Sequence, residues 1–382
     1  MGFVSSDGKL ILDDNLGRFS ILNSKIEVLK TYRSSVPEGD WLMCGAWWDE
    51  PNIRYVHCYY EGESKVEIGK ADESDILESK QVTVSFGAYT PTLMGGRFLN
   101  DHYYIVGYIV DYPSSGMISG LIAKIAKDYT VSWAKVYSDP DTSVYFNFRG
   151  LEYFDGKLVA VGAYTIAVID DGDGSLIAGR HVEGSGGEAI LGGIAENVKA
   201  SPDRIFVFNP YYLVVFDHSL NVLACKSEQE PFKCSGGCSA GIAVKPDGNI
   251  LALSEGNVNY PGRIIIEFSP DGVVQQAKRL ASSYSGFDCG LKAEIVNDRL
   301  YACWQAASAD SLIAYLISCK IDLTFPDCPI WADETITYGD LAYTITDAIA
   351  NVEDATVNIA DVTSKFSPVS TSFTKECPVE GG

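Results

Sequence analysis

Basic residues are scarce in this chain. Of 382 residues, 29 are Lys or Arg against 51 Asp or Glu, a formal net charge of −22. Surfaces that track a phosphate backbone are built from clustered Lys and Arg, so nucleic acid is excluded as a partner, and adsorption to anionic lipid is disfavoured for the same reason. Histidine is scarcer still: His57, His102, His181 and His218 are all there are, and none stands in a Ser-His-Asp, His-Glu-x-x-His or Gly-x-Ser-x-Gly pattern. No Cys-x-x-Cys occurs, which leaves a zinc site without ligands. No apolar run reaches the roughly 18 residues of a membrane-spanning helix. Met1 to Asp7 has neither a basic nor an apolar stretch, so the chain reads as intracellular or as lacking its leader. Capped helix-period segments are almost missing as well.

What is present is a large core: 46% hydrophobic and 12% aromatic residues exceed what a disordered chain carries. The ten cysteines look patterned. Cys44-Gly45 precedes Cys58 and Cys289-Gly290 precedes Cys303 at one spacing, which suits neighbouring strands of a hairpin, and Cys319 and Cys328 flank the turn at Asp322. The spacing predicts disulfides Cys44–Cys58, Cys289–Cys303 and Cys319–Cys328, with the pairing of Cys225, Cys234, Cys238 and Cys377 left open. Buried free thiols are the competing reading. Disulfides at this density imply an extracellular or cell-surface protein, or the cytosol of a hyperthermophile.

A repeat runs through the chain. Turn signals stand at Asp7-Gly8-Lys9-Leu10, Asn52-Ile53, Asp101-His102, Asp155-Gly156-Lys157-Leu158, Asp203-Arg204-Ile205, Asp247-Gly248-Asn249-Ile250 and Asp298-Arg299-Leu300. From the residue after each turn the steps are 44, 49, 55, 47, 45 and 50, the length of a propeller blade. A second, Asp-rich turn recurs about twenty residues later, as at Asp72-Glu73, Asp217-His218 and Pro270-Asp271-Gly272. The segments between are short, alternating and β-branched. The expectation is an all-β chain: a seven-bladed β-propeller of four-stranded antiparallel blades over 1–338, with a C-terminal β tail over 339–382 packed on it or leading onward.

The Asp-Gly-Lys-Leu heads and apolar-Asp-x-Asp-Gly tails of these units resemble the Asp-Gly-rich repeats of quinoprotein-like and related bacterial and archaeal propellers, over about residues 3 to 338. The resemblance implies a fold and leaves function open, because such repeats serve enzymes, scaffolds and adhesive surface proteins. For some members it implies a cofactor, yet no group of His, Arg and Asp in this chain is assignable to one, and none is expected.

Candidate chemistry is thin. Asp170-Asp171-Gly172-Asp173-Gly174-Ser175 has the start of a calcium loop, making Asp171 and Asp173 the candidate Ca2+ ligands, but Val182 stands where such a loop needs its bidentate acid. A hairpin turn is the plainer reading. Trp47-Trp48 beside Asp49 and Glu50 could stack on a sugar ring or cation, or pack between blades. Tyr112, Tyr211 and Tyr260 lie on loops between second and third strands, while Tyr137, Phe146 and Tyr284 lie near connections between units; in a propeller both loop classes share a face. A tyrosine-rich rim is the composition of a recognition surface. The sequence therefore points to a non-catalytic extracellular or cell-surface module that binds a protein partner, copies of itself or a glycan. The alternative is a propeller lyase, hydrolase or dehydrogenase with its site at the channel mouth.

Overall fold

In a computed structural model, residues 4–370 are described, apart from 14–16, 24–26, 37–42, 62, 141–143, 193–196, 235–240, 258, 281–291, 308–311 and 324–330. Every described regular element is a β-strand. The strands form seven antiparallel sheets in chain order, the blades of the expected seven-bladed propeller. Six of the seven turn heads fall at the starts of second strands, from Asn52–Tyr60 through to Arg299–Ala307, and the first precedes Leu10–Asp13, the first strand of its sheet, which Val4 meets in an isolated bridge. Three of these turns, Asn100-Asp101, Asp155-Gly156 and Asn297-Asp298, hold both central residues at positive φ. That is the type I′ geometry whose twist matches a hairpin, and Asn, Asp and Gly are the residues that tolerate it.

The chain divides into two compact units, one of residues 1–149, 173–175 and 350–382, the other of 150–172 and 176–349. In the first unit, blades 2 and 3 pack face to face through Val56, Ile68 and Val82 against Phe98, Ile105 and Leu121. In the second, Val159, Ile166 and Val182 of blade 4 meet Val207 and Val214 of blade 5, and similar layers join blades 5, 6 and 7. Middle strands are buried on both faces, as in Arg263–Phe268, and so read as unbroken apolar runs. Fourth strands such as Leu176–Gly184 are buried only at intervals.

Among the described residues blades 1 and 7 show three strands of their own where four were expected, and a further difference involves the C-terminal segment. Six of the seven sheets end in an extra antiparallel strand taken from the C-terminal segment, and they do so in reverse order. Trp331–Asp333 pairs with Val274–Leu280 of blade 6, Tyr338–Asp340 with Val222–Glu228 of blade 5, and Tyr343–Asp347 with Leu176–Gly184 of blade 4. Asn351–Asp354 pairs with Val131–Ser138 of blade 3, Thr356–Asp361 with Ile76–Ser85 of blade 2, and Phe366–Val369 with Val28–Ser34 of blade 1. The packed tail was expected; its service to six blades in turn was not.

Two of the expected disulfides are corrected. Cys58 and Cys319 are buried free thiols, as are Cys225 and Cys234. The hairpin of blade 2 exists where the spacing put it, but its register sets Cys58 opposite Met43 and Cys44 opposite His57. Because side chains alternate faces, an offset of one residue defeats a cross-strand bond. The thiols act as small core hydrophobes, and burial pushes those of Cys58, Cys225 and Cys319 up to about 12. Cys289, Cys328, Cys238 and Cys377 lie outside the described residues. With Cys58 and Cys319 reduced, these pairs no longer argue for an oxidising compartment.

Thiol titration of protein prepared without reductant tests this directly. Peptide mapping after alkylation in denaturant should find Cys58, Cys225, Cys234 and Cys319 modified, and alkylation of the native protein should spare them. Disulfide-linked peptides containing Cys58 or Cys319 would reverse the correction.

Candidate docking surfaces

The C-terminal segment carries a seven-residue repeat. Trp331, Tyr338, Ile345, Val352, Ile359 and Phe366 are spaced by seven, and so are Asp333, Asp340, Asp347, Asp354 and Asp361. Each Asp is the last residue of its added strand. Each lies opposite a basic residue of the blade's fourth strand and forms an ion pair with it: Lys278–Asp333 and Lys226–Asp340 at 2.5 Å, Arg180–Asp347 at 2.8 Å, Lys135–Asp354 at 2.6 Å, and Lys80–Asp361. The residue after each Asp then donates its N–H to the small residue before the basic one. These bonds run from Glu334 to Ala277, Leu341 to Cys225, Ala348 to Gly179 and Ala355 to Ala134 at 3.0 Å, and from Val362 to Ser79 at 3.3 Å.

The five fourth strands therefore share an apolar-x-x-small-basic pattern, for example Val274-Gln-Gln-Ala277-Lys278. In blade 4 the approach admits only glycine: a Cβ on Gly179 would sit 2.4 Å from the carbonyl oxygen of Ala348. In blade 1 both partners change together, Tyr32 replacing the base and Pro368 the acid, at the same register. The Asp side chains are 75% to 90% exposed, so each ion pair contributes less than about 1 kcal/mol and is screened by salt. Backbone pairing supplies the adhesion, and the charges set register.

Contacts beyond the ion pairs fix the segment in position. Between blades 1 and 2, the fully buried carboxylate of Glu67 accepts from Tyr55 Oη (2.9 Å), Ser79 Oγ (2.7 Å), Ser364 Oγ (2.6 Å) and Lys365 N (3.1 Å). Phe366 packs edge-on against Phe19 and Tyr55 and lies 4.8 Å from the ring of His57. In the second unit, Glu334 bridges Lys233 and Arg279, each at 2.7 Å, and Tyr338 donates to Pro210 O at 2.6 Å.

His57 is fully buried, and neither ring nitrogen has a hydrogen-bond partner among the described residues. Burial, helped by the charge of Lys365 and opposed by Glu61, lowers its pKa to about 3. It is a neutral ring stacked on Tyr59, not an acid–base group.

The residues expected to bind divide into two classes. Tyr137 and Phe146 are fully buried, with Tyr137 donating to Gly174 O at 2.8 Å. Trp47 and Trp48 are also enclosed, and Trp47 belongs to the layer between blades 2 and 3. Tyr284 lies outside the described residues. Tyr112, Tyr211 and Tyr260 are half-buried on the expected hairpin loops. Tyr112 stands edge-on to Phe86 and Tyr89, and its hydroxyl donates to Glu353 of the C-terminal segment.

In the second unit, Tyr211 meets Phe232 at 5.6 Å, and the ammonium of the adjoining Lys233 sits 5.2 Å from the ring centre of Tyr260. Phe232 is 40% exposed. The two pairs lie on neighbouring loops joined through the adjacent residues Phe232 and Lys233, with Asn257 donating to Phe232 O.

Asp170 and Asp173 accept from the backbone N–H groups of Gly172 and Ser175, the hydrogen bonds of a turn, and Asp171 is buried. No cluster of three or more His, Cys, Asp or Glu able to hold a metal occurs among the described residues. No described helix is long and apolar enough to cross a membrane.

No protein-family model and no curated protein matches this chain. Among solved structures, the chain is similar to a subtype N11 neuraminidase-like protein of A/flat-faced bat/Peru/033/2010 (H18N11), at 13% identity and a TM-score of 0.39, over 86% of this chain and 92% of that one.

The buried imidazole makes stability depend on pH with a definite sign. The unfolded chain binds this proton near 6.5 and the folded chain only near 3. The contribution of His57 is thus complete above 6.5 and is lost as pH falls toward 3, at up to about 1.4 kcal/mol per pH unit. Urea unfolding of wild type and His57→Phe between pH 7 and 4 should show the wild type losing stability faster by about one proton's slope. Parallel curves would contradict the assignment.

Proposed function

We propose that this protein is a non-catalytic binding or assembly module, a β-propeller whose loops engage a protein surface. The observation that carries the reading is the patch of Tyr211, Phe232, Lys233 and Tyr260. Two contacts, ring on ring and ammonium on ring, sit on neighbouring loops, and Phe232 meets no described ring beyond Tyr211 while keeping 40% of its surface exposed. Aromatic side chains held edge to face lose little entropy on binding and supply large contact area, the property of interface anchors. Lys233 is fixed by Glu334 and by the carbonyl of Thr335, so its charge is held in place before any partner arrives. The partner suited to it is a protein whose own surface offers a ring or carboxylate to the ammonium and apolar area to Phe232.

The paired substitution Tyr211→Ala and Phe232→Ala tests this. Association with a partner, or with further copies of the chain measured by sedimentation velocity, should weaken at least about fivefold, an effect of roughly 1 kcal/mol. The thermal midpoint should move by less than about 4 °C. A lowered midpoint with unchanged association would make the patch loop packing and end the reading.

A further inference from the structure

We propose that the outer edges of blades 2 to 6 are docking sites for a repeating strand, and that the C-terminal segment of a second copy of this chain occupies them by exchange with the chain's own. Four observations lead there. First, apart from the anchors at Glu334, Tyr338, Ser364 and Phe366, the contacts along blades 2 to 6 are of a kind that a separate strand makes, chiefly edge pairing plus one ion pair per seven residues. A partner's segment would reproduce them all, so the exchanged and unexchanged states hold the same bonds.

Second, the segment is held at its surface. In Tyr343–Asp347 and Asn351–Asp354 one residue of each strand is half-buried and the rest are exposed. Elements with so little buried apolar area open well below the cost of global unfolding. Blade strands such as Ile205–Asn209 and Arg263–Phe268, buried along most or all of their length, remain when it lifts.

Third, the binding rule repeats. The five basic residues meet five acids at one spacing, so the edges recognise a heptad with Asp at a fixed place and do not identify which copy supplies it. Fourth, the anchors that do fix position, Glu334, Tyr338, Ser364 and Phe366, all belong to the moving segment, so they travel with it.

Exchange is then governed by concentration. A tethered segment competes at an effective concentration of about millimolar. Swapped pairs fill when chains are crowded to that level or when the segment is released and allowed to redock. This docking uses none of the loop aromatics, so it stands or falls separately from the loop-patch reading.

A 1:1 mixture of unlabelled and uniformly 15N-labelled full-length protein, incubated at rising concentration and treated with a zero-length carbodiimide, reads the exchange. Cross-linked peptides joining Lys226 to Asp340 and Lys135 to Asp354 should include unlabelled–labelled hybrids, and their share should rise with concentration toward half. The Tyr211→Ala and Phe232→Ala chain should give the same hybrids; their loss there would assign the association to the loops. Absence of hybrids at every concentration overturns the proposal.

A second arm uses two full-length variants, one with Lys135→Glu and Lys226→Glu, the other with Asp340→Lys and Asp354→Lys. Each opposes its own segment, and together they complement. An equimolar mixture should form a species of twice the chain mass by light scattering that neither variant forms alone, and a mixture that behaves as the sum of its parts counts against exchange.

Discussion

An unpaired strand edge is the constraint that organises this molecule. Blades 1 to 6 each end in an outer strand whose N–H and C=O groups would otherwise face solvent and invite pairing with another chain. The C-terminal segment meets that demand six times, once per heptad, and in blades 2 to 6 a small-basic pair on the fourth strand receives it. Seven extended residues reach about 23 Å. One heptad therefore supplies a short strand and the step to the next edge. An odd period would turn successive side chains to opposite faces in a continuous strand, so the residues after each Asp leave the strand and reset the face.

From this follows a gradient of strength. Inner strands are locked by apolar layers between blades, fourth strands are partly covered, and the added strands rest on backbone bonds, weak surface ion pairs and a few buried anchors. Glu67 is the most committed anchor. A carboxylate removed from water is costly unless its lone pairs are filled, and here two of its four donors, Ser364 Oγ and Lys365 N, come from the segment itself. Losing the segment at that point would leave a buried charge with half its partners.

Much of this was legible in the sequence. The Asn, Asp and Gly turn heads marked second strands because positive φ restricts which residues can stand there, and the blade count followed from their spacing. The pairing of Cys44 with Cys58 was misread because strand spacing identifies a hairpin while register depends on one residue of turn geometry. Tyr137 and Phe146 are buried although their sequence places them beside loops, because aromatic residues there look alike whether they point in or out, and for Trp47 and Trp48 the packing alternative is the one the structure has. The heptad was present in plain view at Asp333, Asp340, Asp347, Asp354 and Asp361, but a period of seven is hidden beneath one of 44 to 55 unless the tail is examined by itself. The matching apolar-x-x-small-basic pattern was the second half of that signal.

Residue-resolved amide hydrogen exchange on the intact chain tests most directly that the added strands are docked edge by edge. The N–H groups of Glu334, Leu341, Ala348, Ala355 and Val362 each donate to a blade carbonyl. They should be protected, as a set, above their neighbours at Asp347 and Asp361, whose N–H groups alternation turns away from the blade, and below those of Ile205–Asn209 and Arg263–Phe268. Exchange at unprotected rates across these five amides, with the inner strands still slow, would contradict a docked segment and with it the account of how the blade edges are closed.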